Sequence, residues 1–255
     1  TYRWFRAARH FLLNGLPIVR HKEGELPDWE AFKAAYHFET PHDNDRGYTP
    51  LRYAALSNNL AVAKELIEVH GADVHMQADK SAIPLFGASG GEDILGSAMH
   101  LCGGHREAEP MIALLLRHGA DPHRPSPTTG NALLEASVFG NVETATALLK
   151  LVPSIRDAAP TPPFLFTPLN FACIQDKPEY VKWCIDNGIV SDTNNTFGHC
   201  SLHAAALQGN IQNVRLFLAH PELKKRVNVL STPPVIVPGE IAFNVCRLAY
   251  RCGAK

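Results

Sequence analysis

Long hydrophobic runs are missing from this chain of 255 residues. Its longest apolar stretches, MIALLL and PPFLF, are far shorter than the roughly 20 residues that a membrane-spanning helix needs. The sequence therefore predicts a protein that does not span a membrane.

An excess of charge of either sign is missing as well. The chain has 24 Lys and Arg against 25 Asp and Glu, which leaves a formal net charge of −1 at pH 7. Because nucleic-acid phosphates are bound by a concentrated basic surface, this balance argues against nucleic acid as a partner.

Paired cysteines are also absent. The six cysteines show no Cys-x-x-Cys spacing, so a zinc site or a redox motif has little support, and a chain of this length does not need a disulfide framework. We predict six reduced thiols, no metal, no cofactor and an intracellular, cytoplasmic setting, with an organelle left open. Since the chain begins at Thr1 without Met and stops inside a repeat-like segment, we also expect it to be a piece of a longer protein.

The stretch GHCSLHAAALQGN places His199, Cys200 and His203 within five positions and raises the question of a metal or catalytic site. A zinc site needs several converging ligands, and a cysteine nucleophile needs a base that a third group holds. The same frame recurs elsewhere in the chain without these ligands. A repeating scaffold therefore explains the spacing better than chemistry does.

Four earlier segments share this frame, and each carries two apolar residues 17 and 18 positions after its start. The successive starts are 48, 34, 36 and 33 residues apart, which is a period near 33 with one long insertion at residues 76–96. Regular periods of this length are typical of helical repeat proteins. The segments are TPLRYAALSNN from Thr49, SAMHLCGGH from Ser97, NALLEASVFGN from Asn131 and TPLNFACIQDK from Thr167.

In this frame the chain resembles the ankyrin repeat. Thr49-Pro50-Leu51 and Thr167-Pro168-Leu169 match the start of the family pattern, Gly140-Asn141 and Gly209-Asn210 its turn, and EVHGADVH and LRHGADPH its ending. The resemblance implies an all-α ankyrin-repeat solenoid of five to six helix–turn–helix repeats joined by β-hairpin-like loops. Residues 1–46 are then an N-terminal helical cap or half repeat, and residues 47–255 the repeat domain, with repeats starting near 47, 95, 129, 165 and 198 and an atypical last repeat at 231–255.

The chain departs from the family pattern at several positions. Arg52, Leu134 and Asn170 replace the family's structural histidine, which His100 and His203 retain. The His203 ring is expected to hydrogen-bond backbone between neighbouring loops. Prolines in the last repeat predict a short or missing first helix there. In the cap, LPDWEAFKAAYHF predicts a helix that Asp28 caps, and this helix either covers the open end of the repeats or docks a partner.

The resemblance also implies a partner surface. In the family, the residue before each repeat start and positions on the first helix line a concave groove. Here these positions are unusually apolar, and exposed aromatic residues on one strip are typical of protein-binding hot spots. The alternative is that loops or the N-terminal segment cover some of them. The predicted partner-binding residues are Tyr48, Tyr53, Leu56, Leu101, His105, Glu135, Phe139, Phe166, Phe171, Ile174, Gln175, His199 and Gln208.

No Ser-His-Asp or paired-carboxylate constellation emerges from the repeat frame, so we predict no catalytic residue. The sequence predicts a non-catalytic protein–protein interaction module, or a scaffold subunit of a multi-subunit complex. The alternative is a regulatory or substrate-recruiting ankyrin arm of a longer enzyme or channel. A standalone metal-dependent enzyme is a third class, for which the sequence names no nucleophile or base.

Overall fold

The fold is all-α. A computed structural model describes residues 26–44, 49–77, 94–101, 108–125, 130–160, 165–174, 176–196, 198–207 and 209–225. Throughout these ranges the chain forms α-helices, one short 3-10 helix and turns, and no strand. The predicted atypical repeat at 231–255, the first 25 residues and most of the insertion lie outside the described residues. The chain divides into two compact units, Thr1–Asp121 and Pro122–Lys255.

The helices of the first unit are α1 Trp29–Tyr36, α2 Pro50–Leu56, α3 Leu60–Glu68, α4 Ile94–Leu101 and α5 Ala108–Arg117. Helices α2 and α3 form one pair and α4 and α5 the next, and α1 packs on α3. The two pairs are stacked, because the first helices α2 and α4 pack together, as do the second helices α3 and α5.

The helices of the second unit are α6 Ala132–Phe139, α7 Val142–Leu151, α8 Pro168–Ile174, α9 Pro178–Asp186, α10 Ser201–Leu207, α11 Ile211–Ala219 and α12 Pro221–Lys224, with a 3-10 helix at Pro153–Asp157. They repeat the arrangement of the first unit with the pairs α6–α7, α8–α9 and α10–α11. The first helices α6, α8 and α10 pack against one another in that order, and the second helices α7, α9 and α11 do the same.

Asparagine starts the second helix of three pairs. The side chains of Asn59, Asn141 and Asn210 each accept a hydrogen bond from the backbone N–H three residues later. Such a cap satisfies one of the free N–H groups at a helix start and stabilises the helix by about 1 kcal/mol. The Gly-Asn turn of the sequence pattern therefore has a physical cause: Gly140, at φ 69°, ends α6, and Asn141 begins α7.

The N-terminal helix begins where the sequence predicted. Asp28 caps α1 by accepting from the N–H of Ala31, and Trp29 and Phe32 on its inner side are buried. The backbone N–H of Trp29 also donates to Oε2 of Glu65 on α3 at 2.9 Å. This helix therefore covers one side of the first helix pair.

Candidate partner-binding site

Residues at the family's histidine position connect successive helix pairs. Arg52 on α2 is fully buried, and its guanidinium donates to Oγ of Ser97 and, at 3.0 Å, to the carbonyl oxygen of Met76. These two bonds tie the first pair to the loop that leaves it and to the next pair. Because a buried guanidinium is stable only when it is hydrogen-bonded, they also explain how an arginine is accommodated there.

Asn170 on α8 performs the same task in the second unit. Its Nδ2 donates to the carbonyl oxygen of His199 at 3.1 Å, and its Oδ1 accepts from Nδ2 of Asn195 at 3.0 Å. Within the loop that precedes α10, the backbone N–H of Asn195 donates to the same His199 carbonyl oxygen at 3.0 Å. This network fixes the hairpin before α10 against the preceding helix.

His203 is bonded within its own turn. Its Nδ1 accepts from the backbone N–H of Cys200 at 3.2 Å, and the Cys200 Sγ lies 3.2 Å from the same nitrogen. Because the backbone N–H can only donate, the His203 Nδ1 is the acceptor of this bond, and its lone pair is not free to bind a metal. Cys200 itself is 1% exposed, so its thiol does not face a substrate.

Three cysteines of the second unit lie among the residues that the structure describes, and all three are buried. Cys173, Cys184 and Cys200 form no disulfide. Burial, followed by the nearby carboxylate of Asp192, raises the pKa of the Cys173 thiol well above its usual value, and burial alone does the same for Cys184. Reactive cysteines need a lowered pKa and exposure, so Cys173 and Cys184 act as small apolar side chains. Among the described residues no three His, Cys, Asp or Glu side chains converge as metal ligands.

His199 stands half-exposed at the end of the fixed hairpin. Its backbone N–H donates to Oδ1 of Asn195 at 3.2 Å, and its ring centroid lies 5.9 Å from that of His203. Partial burial and, to a lesser extent, His203 lower the pKa of His199 below its usual value. The hairpin therefore presents a neutral imidazole at neutral pH.

The sequence predicted that Tyr53 is exposed, but the structure buries it. It is 7% exposed, and its ring centroid lies 5.5 Å from Tyr36 and 5.3 Å from Phe38, both edge-on. The N-terminal segment covers this side chain, which was the alternative left open by the sequence.

The predicted exposure is also wrong for four further members of the set. Phe166 and Phe171 pack edge-to-face with centroids 5.0 Å apart and are buried. Such pairing adds to the stabilisation that burial of the rings already provides. Leu56 and Glu135 lie within the packed first helices. These residues belong to the buried core because neighbouring helices and loops cover their side chains.

Ile174 and His199 are half-exposed. Tyr48, His105, Gln175 and Gln208 lie outside the described residues, as do the side chains of Leu101 and Phe139. The partner contacts of the whole set stay a prediction.

Leu165 is a feature that the sequence analysis missed. Its backbone has φ 54°, two residues before Thr167 at the start of α8, and its side chain is half-exposed. In the next hairpin the residue two positions before Cys200 is Gly198, at φ 78°. A leucine thus occupies a left-handed position that a glycine fills in the neighbouring hairpin. Aligning the repeat starts would have revealed the exchange.

Comparison with known proteins gives two findings. The family model of the ankyrin repeat matches residues 46–76, which include α2 and α3. The chain is also similar to the palmitoyltransferase akr1 of Neurospora crassa, at 28% identity over 137 residues, which is 51% of this chain and 17% of that protein. The chain thus spans less than a fifth of the length of that relative. Within the described part of the chain, each helix is too short or too polar to cross a membrane.

Proposed function

Because this chain is an ankyrin-repeat protein, we propose that its helix pairs stack as a solenoid of five to six repeats and bind a protein partner without catalysis. The module acts alone or as a scaffold subunit of a larger assembly. The observation that carries this proposal is the hydrogen bonding between successive pairs, through Arg52 in one unit and Asn170 in the other. Such bonds hold the loops in one conformation, and preorganised loops lose less entropy on binding.

The binding surface in this proposal is the concave side, formed by the hairpins and the rims of the first helices. His199 and Ile174 belong to it because they are half-exposed on fixed elements. The neutral His199 ring offers a hydrogen-bond donor and an acceptor without the cost of desolvating a charge. In the same unit the buried rings of Phe166 and Phe171 pack against each other.

The chemistry of the cysteine and histidine cluster supports a non-catalytic role. A cysteine nucleophile must be exposed and must have a base that is itself oriented by a third group. Cys200 is buried, and the ring nitrogen near its sulfur is occupied by a backbone N–H. The buried, reduced thiols fit an intracellular, cytoplasmic setting.

A second function is favoured by one observation, the similarity to a protein named palmitoyltransferase of which this chain matches only a small share. In that case the repeats form a regulatory or substrate-recruiting arm of a longer enzyme. Intact-mass analysis of the native protein distinguishes the two functions. Additional chain beyond Lys255 or before Thr1 that carries a catalytic domain supports the arm.

Affinity purification with crosslinking from the native source tests the proposed function. We expect one protein to be captured at near-equal amounts, with crosslinks on the hairpins and first helices. Glu143→Ala and Glu179→Ala, on the exposed sides of α7 and α9, serve as controls that leave capture unchanged. Failure to capture any protein, or loss of capture in the two controls alone, contradicts the proposal.

A further inference from the structure

The second helix of the last described pair, α11, buries few side chains. Along this helix Asn213 and Phe217 are the buried residues, and Asn213 is polar. The second helices of the two preceding pairs, α7 and α9, bury five and four side chains, respectively. Because stretches with few buried apolar side chains open most readily in native proteins, α11 is the least firmly packed of these three helices.

Hydrogen bonds between helix pairs show the same contrast. On α9, the hydroxyl of Tyr180 donates to the carbonyl oxygen of Leu133 at 3.1 Å. Nε1 of Trp183 donates to Oγ1 of Thr146 at 2.8 Å. Both bonds tie α9 to the preceding pair, α6 and α7. Asn213 holds the place of Tyr180 on α11, 33 positions further along the chain, which is the period of the repeat.

The Asn213 amide makes no such bond. Its side chain is completely buried, and within the part of the chain that the structure describes neither its Nδ2 nor its Oδ1 has a hydrogen-bond partner. The backbone N–H of Asn213 is satisfied, because it donates to Oδ1 of the capping Asn210 at 2.9 Å. Burial takes the amide out of water without giving it a hydrogen bond, so it destabilises the packed position of α11 relative to an opened one.

We propose that α11 is a detachable helix, which opens locally from α9 and α10 while the rest of the second unit stays folded, and that the buried amide of Asn213 sets how often it opens. This inference goes beyond the proposed function and does not depend on it. The first helix of the same pair stays in place, because the backbone N–H of Ser201 at its start donates to Oδ1 of Asp192 at 2.7 Å. The movement therefore involves one helix and not the whole pair.

The equivalent position in other helix pairs supplies the variants. Val62 holds the place of Asn213 on α3 and is completely buried, and Thr144 holds it on α7. Asn213→Val therefore introduces a side chain that the repeat accommodates, and Asn213→Leu keeps the shape of the amide without its polarity. Thr144→Val is the matched control, because the Thr144 hydroxyl is already bonded to the carbonyl oxygen of Asn141 at 3.2 Å.

Native-state hydrogen exchange of the full chain, followed by mass spectrometry on peptides from α7, α9 and α11, measures the local opening of each helix. In the wild type we expect the amides of α11 to exchange about tenfold faster than those of α9, or more. Asn213→Val and Asn213→Leu should each slow exchange in α11 by roughly tenfold and leave α7 and α9 little changed. Thr144→Val should not slow exchange in α7.

Three results overturn the inference. Equal exchange of α11 and α9 in the wild type would show that α11 does not open by itself. Unchanged or faster exchange of α11 in both Asn213 variants would show that the amide does not set the opening. If the variants slow exchange in α7 and α9 by the same factor as in α11, Asn213 acts on the unfolding of the whole unit and not on one helix.

Discussion

The Nδ2 of Asn170 donates a hydrogen bond of 3.1 Å to the carbonyl oxygen of His199, a residue 29 positions further along the chain. Histidine usually occupies the Asn170 position in the family that this chain resembles. The Asn170 amide makes a second hydrogen bond, because its Oδ1 accepts from Nδ2 of Asn195. A departure from the family pattern thus becomes a three-residue link between one helix pair and the next hairpin.

Asn170→Ala should destabilise the protein by roughly 1 to 3 kcal/mol, because it leaves the Asn195 amide and a carbonyl lone pair without their buried partner. Urea unfolding measures the change. Asn170→His, which can donate to the same carbonyl, should recover part of the loss. Equal stability of the alanine variant and the wild type would show that water replaces the bond without cost.

Leu115→Ala should destabilise the protein by roughly 2 to 5 kcal/mol, since Leu115 on α5 is completely buried and the truncation leaves a cavity. Val69→Ala is the matched control, because Val69 is 72% exposed and should change stability by less than about 0.5 kcal/mol. The two unfolding midpoints are compared in the same denaturant. Similar midpoints would contradict the packing of α5 against α3.

Phe171→Ala should lower the free energy of unfolding by roughly 3 to 5 kcal/mol, because it removes a ring that is 2% exposed and breaks the contact with Phe166. The sequence alone predicted an exposed, partner-binding aromatic residue at this position, whose replacement would change stability little. A thermal melt of the variant distinguishes the buried position from the exposed one. An unchanged melt together with weaker partner binding would restore the original prediction.

Acid should weaken the second unit through His199. Partial burial and the nearby His203 lower the pKa of His199 below its usual value of 6.5, so the folded state binds a proton less readily than the unfolded state. The unfolded chain therefore gains protons first as the pH falls. The contribution of His199 to stability is complete above the usual pKa and declines below it.

His199→Gln should reduce the loss of thermal stability that accompanies a change from neutral to mildly acid pH. An NMR titration of the His199 ring should give a midpoint below 6.5. A midpoint above this value, or an identical pH dependence of the melt in the variant and the wild type, would show that the ring is not disfavoured in its charged form.

The helix pairs and their caps were predictable because they depend on local patterns. The recurrence of Thr-Pro-Leu, Gly-Asn and the apolar pair located the helices, and Asp28 correctly marked the start of α1. Leu66, Leu148 and Phe217, each the first member of an apolar pair, are completely buried, as the repeat frame requires.

The exposure of the partner surface was not predictable in the same way. Tyr53 is covered by Tyr36, at the end of α1, and by Phe38, just after that helix, and both lie outside the repeat pattern. No periodicity within the repeat could therefore indicate this burial. Phe166 lies just before α8 and packs against Phe171 within that helix, a contact that the spacing of the repeats does not indicate. Local pattern fixes where a residue sits in its helix, whereas neighbouring segments decide how much of it reaches solvent.

The central claim is that the hairpins and first-helix rims bind a protein partner. The most direct test is a calorimetric titration of the captured partner with two double variants that carry equal numbers of changes. Ile174→Ala with His199→Ala should weaken binding by roughly tenfold or more, whereas Glu143→Ala with Glu179→Ala, on the outer helices, should leave it within about twofold. Unchanged affinity in the first variant and a large loss in the second would contradict the account.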